Sequence, residues 1–175
     1  MLEIDVEFQG DNSGELATRI AAGMLQGANA GLVEMEGTAK DLCPVDIGQL
    51  RESIGHAAEQ AAGTEVSGVV GTNLEYSLYV EMGTGPAGRD TSVANKSPAS
   101  VSYRADGWWI HESQIGRDVA EKYHFFHIDT EQGRFYFTNG QPAHPFLYPA
   151  LSIHKDNLPR HIAEAIRQKL EGGGG

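Results

Sequence analysis

Residues 14–41 read GELATRIAAGMLQGANAGLVEMEGTAKD, and this stretch decides the fold. Leu16, Ile20, Met24, Ala28, Met35, Ala39 and, just beyond, Leu42 recur at steps of three and four. That period puts them on one face of a long helix. Gly23, Gly27 and Gly31 lie four apart on an adjoining face. Each glycine costs about 1 kcal/mol relative to alanine inside a helix. Either a close helix–helix or helix–sheet approach, within one chain or between subunits, repays that cost, or the helix is simply loose and rich in small residues.

Upstream, Leu2, Ile4, Val6 and Phe8 alternate with Glu3, Asp5 and Glu7, the period of a strand with one buried face. Gly10, Asp11 and Asn12 make a turn, and Ser13 is placed to cap the helix. Downstream, Pro44 closes the helix. Leu50–Ala58 and Glu65–Gly71 read as two short strands around a Gly63–Thr64 turn. Asn73 then caps a short helix over Leu74–Met82, which Gly83 ends and Pro86 follows.

The texture changes after Gly85. Residues 86–106 are rich in Gly, Ser, Ala, Asp and Asn and read as a mobile loop. Trp108–His111, Tyr123–Ile128 and Arg134–Thr138 have the aromatic content of strands. The charged stretch Glu112–Lys122 separates the first two, and Asp129–Gly133 forms a hairpin turn. Pro142, Pro145 and Pro149 punctuate the return to the main fold. A last amphipathic helix carries Leu158, Ile162, Ile166 and Leu170 on one face, with Asn157 as cap and Pro159 in its first turn.

The fold class expected is α+β: a small, mostly antiparallel sheet packed against the long N-terminal helix and the C-terminal helix. Residues 1–171 are read as one domain, with 86–140 as an inserted loop and aromatic β-ribbon and 172–175 as a disordered tail.

Composition narrows the function classes. With 40% hydrophobic and 21% charged residues the chain is that of a globular protein. No apolar run approaches the ~18 residues of a membrane span. No basic-then-apolar leader follows Met1, so no secretory signal is expected. The single cysteine, Cys43, rules out an internal disulfide framework or a cysteine-rich zinc site and fits a reducing cytoplasm. A net charge of −11 argues against a protein that grips nucleic acid, and is compatible with a conduit through which DNA slides without sticking.

Candidate chemistry is thin. His124 and His127 have the H-x-x-H spacing, with His111 and His144 on flanking segments. Read on a strand, residues three apart point to opposite faces, so surface or structural histidines are the better reading than a metal site. Cys43 stands at a helix C-terminal end, where nothing stabilises a thiolate. The glycine-rich run Gly83–Gly88 lacks the Lys-Ser/Thr that grips phosphate. Trp108 and Trp109, among acidic residues, read as packing the insert or meeting another protein. No catalytic residue, metal ligand or cofactor site is expected.

Three segments, in this order, resemble one family. They are Cys43-Pro-Val-Asp-Ile-Gly-Gln-Leu-Arg-Glu-Ser-Ile54, Gly71-Thr-Asn-Leu-Glu-Tyr-Ser-Leu-Tyr-Val-Glu-Met-Gly-Thr84 and Gln141-Pro-Ala-His-Pro-Phe-Leu-Tyr-Pro-Ala-Leu151. The resemblance is to the bacteriophage tail-component group typified by the tenth gene product of a Hong Kong lambdoid siphophage. It covers about 2–84 and 141–170, with Ile47 where the family usually has threonine. Its motif positions here are Pro44, Asp46, Gly48, Leu50 and Arg51; Gly71, Thr72, Asn73, Tyr76, Tyr79, Val80, Glu81, Gly83 and Thr84; and Pro142, Pro145, Phe146, Pro149, Ala150 and Leu151.

These positions also have a physical reading. Asp46 and Gly48 shape a turn, Leu50 re-enters the core, and Phe146 anchors an extended segment stiffened by Pro142 and Pro145. Tyr76, Tyr79 and Val80 share a helical face expected to dock the short helix on the sheet. The resemblance implies a structural virion protein that acts in tail completion or head–tail joining. It further implies a ring of copies at the neck, meeting neighbouring neck, connector or tail-tube proteins, with DNA only as a passing polymer. The contact surfaces expected are the 85–106 loop, the aromatic insert and the C-terminal helix. The rival readings are a transient morphogenesis factor or minor capsid protein, and a metal-dependent hydrolase using the insert's histidines.

Overall fold

The computed structural model of the chain describes residues 13–61, 65–91, 99 and 101–172. The alternating stretch 2–8 and the Gly63–Thr64 turn lie outside these residues, as does most of 92–100. The fold is α+β, with a long N-terminal helix packed against the C-terminal helix and two small antiparallel sheets. The chain divides into two units, Met1–Asn73 with Pro149–Gly175, and Leu74–Tyr148.

In the first unit, α1 (Ser13–Leu42) lies against α7 (Leu158–Glu171). Ser13 is the first helical residue. Ile20, Ala21, Met24, Ala28, Met35 and Ala39 are buried, whereas Leu42, at the last helical position, is 44% exposed. From α7, Ile162 and Ala165 are buried, with Leu158 and Ile166 packed around the cluster of Ile20, Met24 and Ile162.

The glycine repeat is explained here. A methyl group on Gly23 would stand 2.6 Å from Ile166 Cα, and one on Gly31 would stand 2.6 Å from Leu158 Cδ1. On Gly27 it would collide with Ile162 Cα and the His161 carbonyl. The three glycines are therefore the groove that admits α7, within one chain. Asn157 stands at the cap position of α7 but makes no side-chain cap bond, and Pro159 occupies the first turn. At the other end Arg19 closes α7, donating to Leu170 O at 2.7 Å and, from Nε, to Lys169 O at 2.9 Å.

After Pro44 the expected strand Leu50–Ala58 is corrected. Gln49–Ser53 is a short helix, α2, and the strand β1 is Gly55–Gln60. Gly48, at φ +88°, reverses the chain so that Glu52 N–H reaches Gly48 O at 2.9 Å and closes a helical turn. Ile54 then extends, almost fully buried. β1 pairs antiparallel with β2 (Val66–Gly71), from Gly55↔Gly71 to Gln60↔Val66, and both strands pack on α1.

In the second unit, α3 is Ser77–Met82, shorter than expected. Tyr76, not Asn73, holds its cap position, and no side chain caps it. A second correction follows at once: Gly85–Asp90, placed in the loop, is a helix, α4, with Pro86 in its first turn. Proline fits there because its missing N–H has no partner to lose. β3 (Trp108–His111), β4 (Phe126–Thr130) and β5 (Gly133–Thr138) form an antiparallel sheet in the order β3-β5-β4. The charged connection between β3 and β4 contains α5 (Arg117–Lys122), which buries Ala120. β4 thus starts later than the expected Tyr123, because His124, at φ +53°, turns the chain after α5. The last element, α6 (Leu147–His154), was not foreseen among the prolines, and the division between units falls within it.

Candidate functional site

The first motif closes the junction between α1 and the two-stranded sheet. Pro44 and Asp46 are exposed in the turn, and Leu50 is buried. Arg51 pairs with Asp41 across the turn at 3.5 Å. The start of the second motif meets it there: Gly71 pairs with Gly55, and Thr72 Oγ1 lies 2.6 Å from Ser53 Oγ. Asn73 follows, exposed.

The rest of the second motif is brought against the third. Glu81 is 7% exposed, and its carboxylate accepts the backbone N–H groups of Phe146 (2.7 Å), Leu147 (2.9 Å) and Tyr148 (2.9 Å). These are the donors at the start of α6, which no intrahelical carbonyl can satisfy, so Glu81 caps a helix remote in sequence. Alongside it, His144 N–H donates to Val80 O at 2.8 Å and Gln141 Nε2 to Tyr79 O at 2.7 Å. Thr84 N–H donates to Gln141 O at 2.9 Å while Gln141 N–H donates to Thr84 Oγ1 at 3.0 Å.

Gly83, at φ +74°, is buried where a methyl group would sit 2.7 Å from Gln141 O and Ala143 N. Phe146 is fully buried between Pro145 and α6, and Pro142 is exposed. Pro149, Ala150 and Leu151 continue α6, with Ala150 buried and Leu151 47% exposed.

The docking role expected of the two tyrosines is corrected. Tyr76 and Tyr79 are 41% and 56% exposed, and the inward residues of α3 are Glu81 and Met82. Two residues along a helix is a rotation of about 200°, so turning Glu81 inward sends Tyr79 outward. Tyr79, Leu78, Met82, Tyr103 and Trp108 line an open cleft of about 530 Å³, with Arg104 stacked 5.2 Å from the Trp108 ring.

The three-stranded sheet has two unlike faces. Trp108, Ile110, Tyr136 and Thr138 share one, where Tyr136 and Thr138 are buried. Across the other run two rows, Trp109–Phe137–Phe126 and His111–Phe135–Ile128. The Trp109 ring lies 5.1 Å from Phe137 and 6.0 Å from Phe126. Trp109 is 44% exposed, Phe126 66% and Ile128 40%. Sequence reading foresaw an aromatic ribbon and missed that β4 is exposed along its whole length.

Little here is equipped for bond chemistry. The Glu81 carboxylate is saturated by backbone donors, and Cys43 is a buried thiol directed at Pro44 O at 3.6 Å. Among the described residues no group of three or more His, Cys, Asp or Glu is arranged to hold a metal ion. The perturbed carboxylates are structural. Hydrogen bonds from His56 and then Lys40 hold Glu36 below its ordinary range, and Arg134 does the same to Asp129 through a two-pronged contact at 2.6 and 3.1 Å. No helix among the described residues is long and apolar enough to cross a membrane.

Residues 11–83 match the family described as "Bacteriophage HK97-gp10, putative tail-component". The match takes in the first motif and the second as far as Gly83, and leaves the third motif, the aromatic sheet and α7 outside it. No curated protein and no solved structure matches the chain. Over residues 11–83, less than half of its length, the chain is thus similar to the HK97 gp10-like family, which is described as a bacteriophage tail component.

Proposed function

We propose that this protein is a virion component that completes the tail or joins it to the head, working as a ring of copies at the head–tail interface. The observation that carries the reading is how the motif residues spend their polar groups. Glu81, Gln141 and Thr84 are bound to backbone or to one another and Thr72 to the Ser53 hydroxyl, while side chains such as Tyr79, Trp109 and Phe126 face outward. Motif residues committed to architecture, together with an exposed aromatic surface, suit a part that is docked onto by other proteins.

A neck on a rotational axis requires head-to-tail contacts that close. The neighbours on this reading are further copies of the chain and the adjoining neck, connector or tail-tube proteins. The net charge of −11 suits a lumen that DNA traverses without adhering. The test is to count copies of the chain in purified particles by quantitative mass spectrometry. A low, fixed number, about six or a small multiple of a ring, supports the reading. Absence from finished particles overturns it in favour of a transient assembly factor.

A further inference from the structure

The edge of the aromatic sheet carries an inference independent of the ring. Among the described residues β4 pairs with β5 alone, and all five of its residues are exposed. Open edges are ordinarily guarded by charged side chains, above all lysine, by proline or by a bulge. Phe126-His-Ile-Asp-Thr130 has neither proline nor lysine, its one carboxylate, Asp129, is paired with Arg134 within the sheet, its pairing with β5 is unbroken, and it presents Phe126 and Ile128 to solvent.

The direction of its free hydrogen-bonding groups follows from β5. Arg134 O accepts from Glu112 N–H at 2.9 Å, so the backbone of Arg134 points toward β3. Alternation then turns Gly133, Phe135 and Phe137 toward β4, where they meet Thr130, Ile128 and Phe126. The N–H and C=O groups of His127 and Asp129 are left facing the open edge.

We propose that β4 is the docking edge for a second copy of this chain, the two strands pairing antiparallel about a two-fold axis through Ile128 so that two three-stranded sheets become one. Read against itself in this register, the strand sets His127 opposite Asp129 of the second copy, twice, and Phe126 opposite Thr130. Moving the axis to His127 sets imidazole against imidazole, and moving it to Asp129 sets carboxylate against carboxylate. The register centred on Ile128 is thus the one of the three that sets an imidazole donor opposite a carboxylate acceptor, and it uses the backbone groups that face outward. Asp129 keeps room for the second donor, since its side chain is 66% exposed while bound to Arg134. The row of Trp109, Phe137 and Phe126, exposed at its two ends, would then continue into its symmetry mate. A two-fold contact joins copies in pairs and leaves head-to-tail surfaces free.

Register-specific crosslinking of the full chain tests this. Facing Ile128 residues form a pair without hydrogen bonds, with Cα atoms about 4.5 Å apart, within disulfide reach. Residue 126 of one copy would lie roughly 14 Å along the strand from residue 126 of the other, beyond that reach. The one native cysteine, Cys43, is buried. Under a mild oxidant Ile128→Cys should become mostly disulfide-linked dimer, while Phe126→Cys, at the more exposed position, stays monomeric on a non-reducing gel. In sedimentation velocity His127→Asp should raise the dimer dissociation constant at least tenfold, and His127→Arg should restore or tighten it. Equal crosslinking of the two cysteine variants, no crosslinking of a natively folded Ile128→Cys, or dimerisation indifferent to His127→Asp would overturn the proposal. None of these results depends on copy number in the particle, so this inference and the ring can fail separately.

Discussion

Glu81 and Phe146 stand 65 positions apart, and the carboxylate of the first accepts the backbone N–H of the second at 2.7 Å. Together with the bonds from Leu147 and Tyr148, this contact makes one buried side chain the cap of α6.

Removing that cap should therefore cost more than an ordinary hydrogen bond. Glu81→Ala strands three backbone donors and is expected to lower stability by about 3 kcal/mol or more, and Glu81→Gln, which keeps one acceptor oxygen, by about half as much. Both tryptophans, Trp108 and Trp109, lie in the unit that holds Glu81. Their fluorescence during urea unfolding reports the loss directly. An unshifted midpoint for Glu81→Ala would remove the capping role.

Two glycines of α1 should respond to alanine with opposite signs. Gly37 has nothing within 4 Å of an added methyl, so Gly37→Ala should stabilise the chain by about 0.5–1 kcal/mol through helix propensity. Gly27→Ala gains the same propensity but drives a methyl into the backbone of α7, and should destabilise by about 1–3 kcal/mol net. Thermal melts followed by far-ultraviolet circular dichroism separate the two.

Acid should weaken the first unit through Glu36. Its carboxyl is held below its ordinary value of 4.5 by hydrogen bonds from His56 and Lys40. A carboxyl with a depressed folded value stabilises the native state above that ordinary value, and the contribution disappears as pH falls from about 4.5 through the folded value. The Glu36→Gln variant should be less stable near neutrality and lose less on acidification below pH 4.5, measured as urea midpoint against pH. Parallel curves for the two proteins would refute the assignment.

Arg19 should matter at the far end of α7. The last carbonyls of a helix lack internal donors, and Arg19 supplies them for Lys169 and Leu170. Arg19→Ala should cost about 1 kcal/mol and raise amide hydrogen exchange in the final turn of α7, while the middle of that helix stays protected.

How much of this was legible in the sequence depended on the range of the physics. The 3.6-residue period of Leu16 to Ala39 placed α1 to within a residue of its ends, and aromatic alternation located β3 and β5. The repeat at Gly23, Gly27 and Gly31 left a close approach and a loose helix equally open, because nothing local said that Ile162 and Ile166 would fill the groove.

α6 was hidden because Pro142, Pro145 and Pro149 read as punctuation. A proline in the first turn of a helix is harmless, and the capping group came from Glu81, far outside any local window. The same carboxylate misled the reading of Tyr79: an acidic residue on a short helix is ordinarily given to solvent, and here it is the inward one. The exposure of β4 is a property of the sheet order β3-β5-β4, which the residues of a single strand do not encode.

The reciprocal bonds between Thr84 and Gln141 have a consequence for chain length. Thr84 and Gln141 are 57 positions apart, and the chain between them forms an excursion whose two ends are pinned together. Lengthening such an excursion costs little entropy, since each doubling of a closed loop adds only about 0.6 kcal/mol. The excursion is thus expected to tolerate changes of length while the motifs on either side of the pin stay in place.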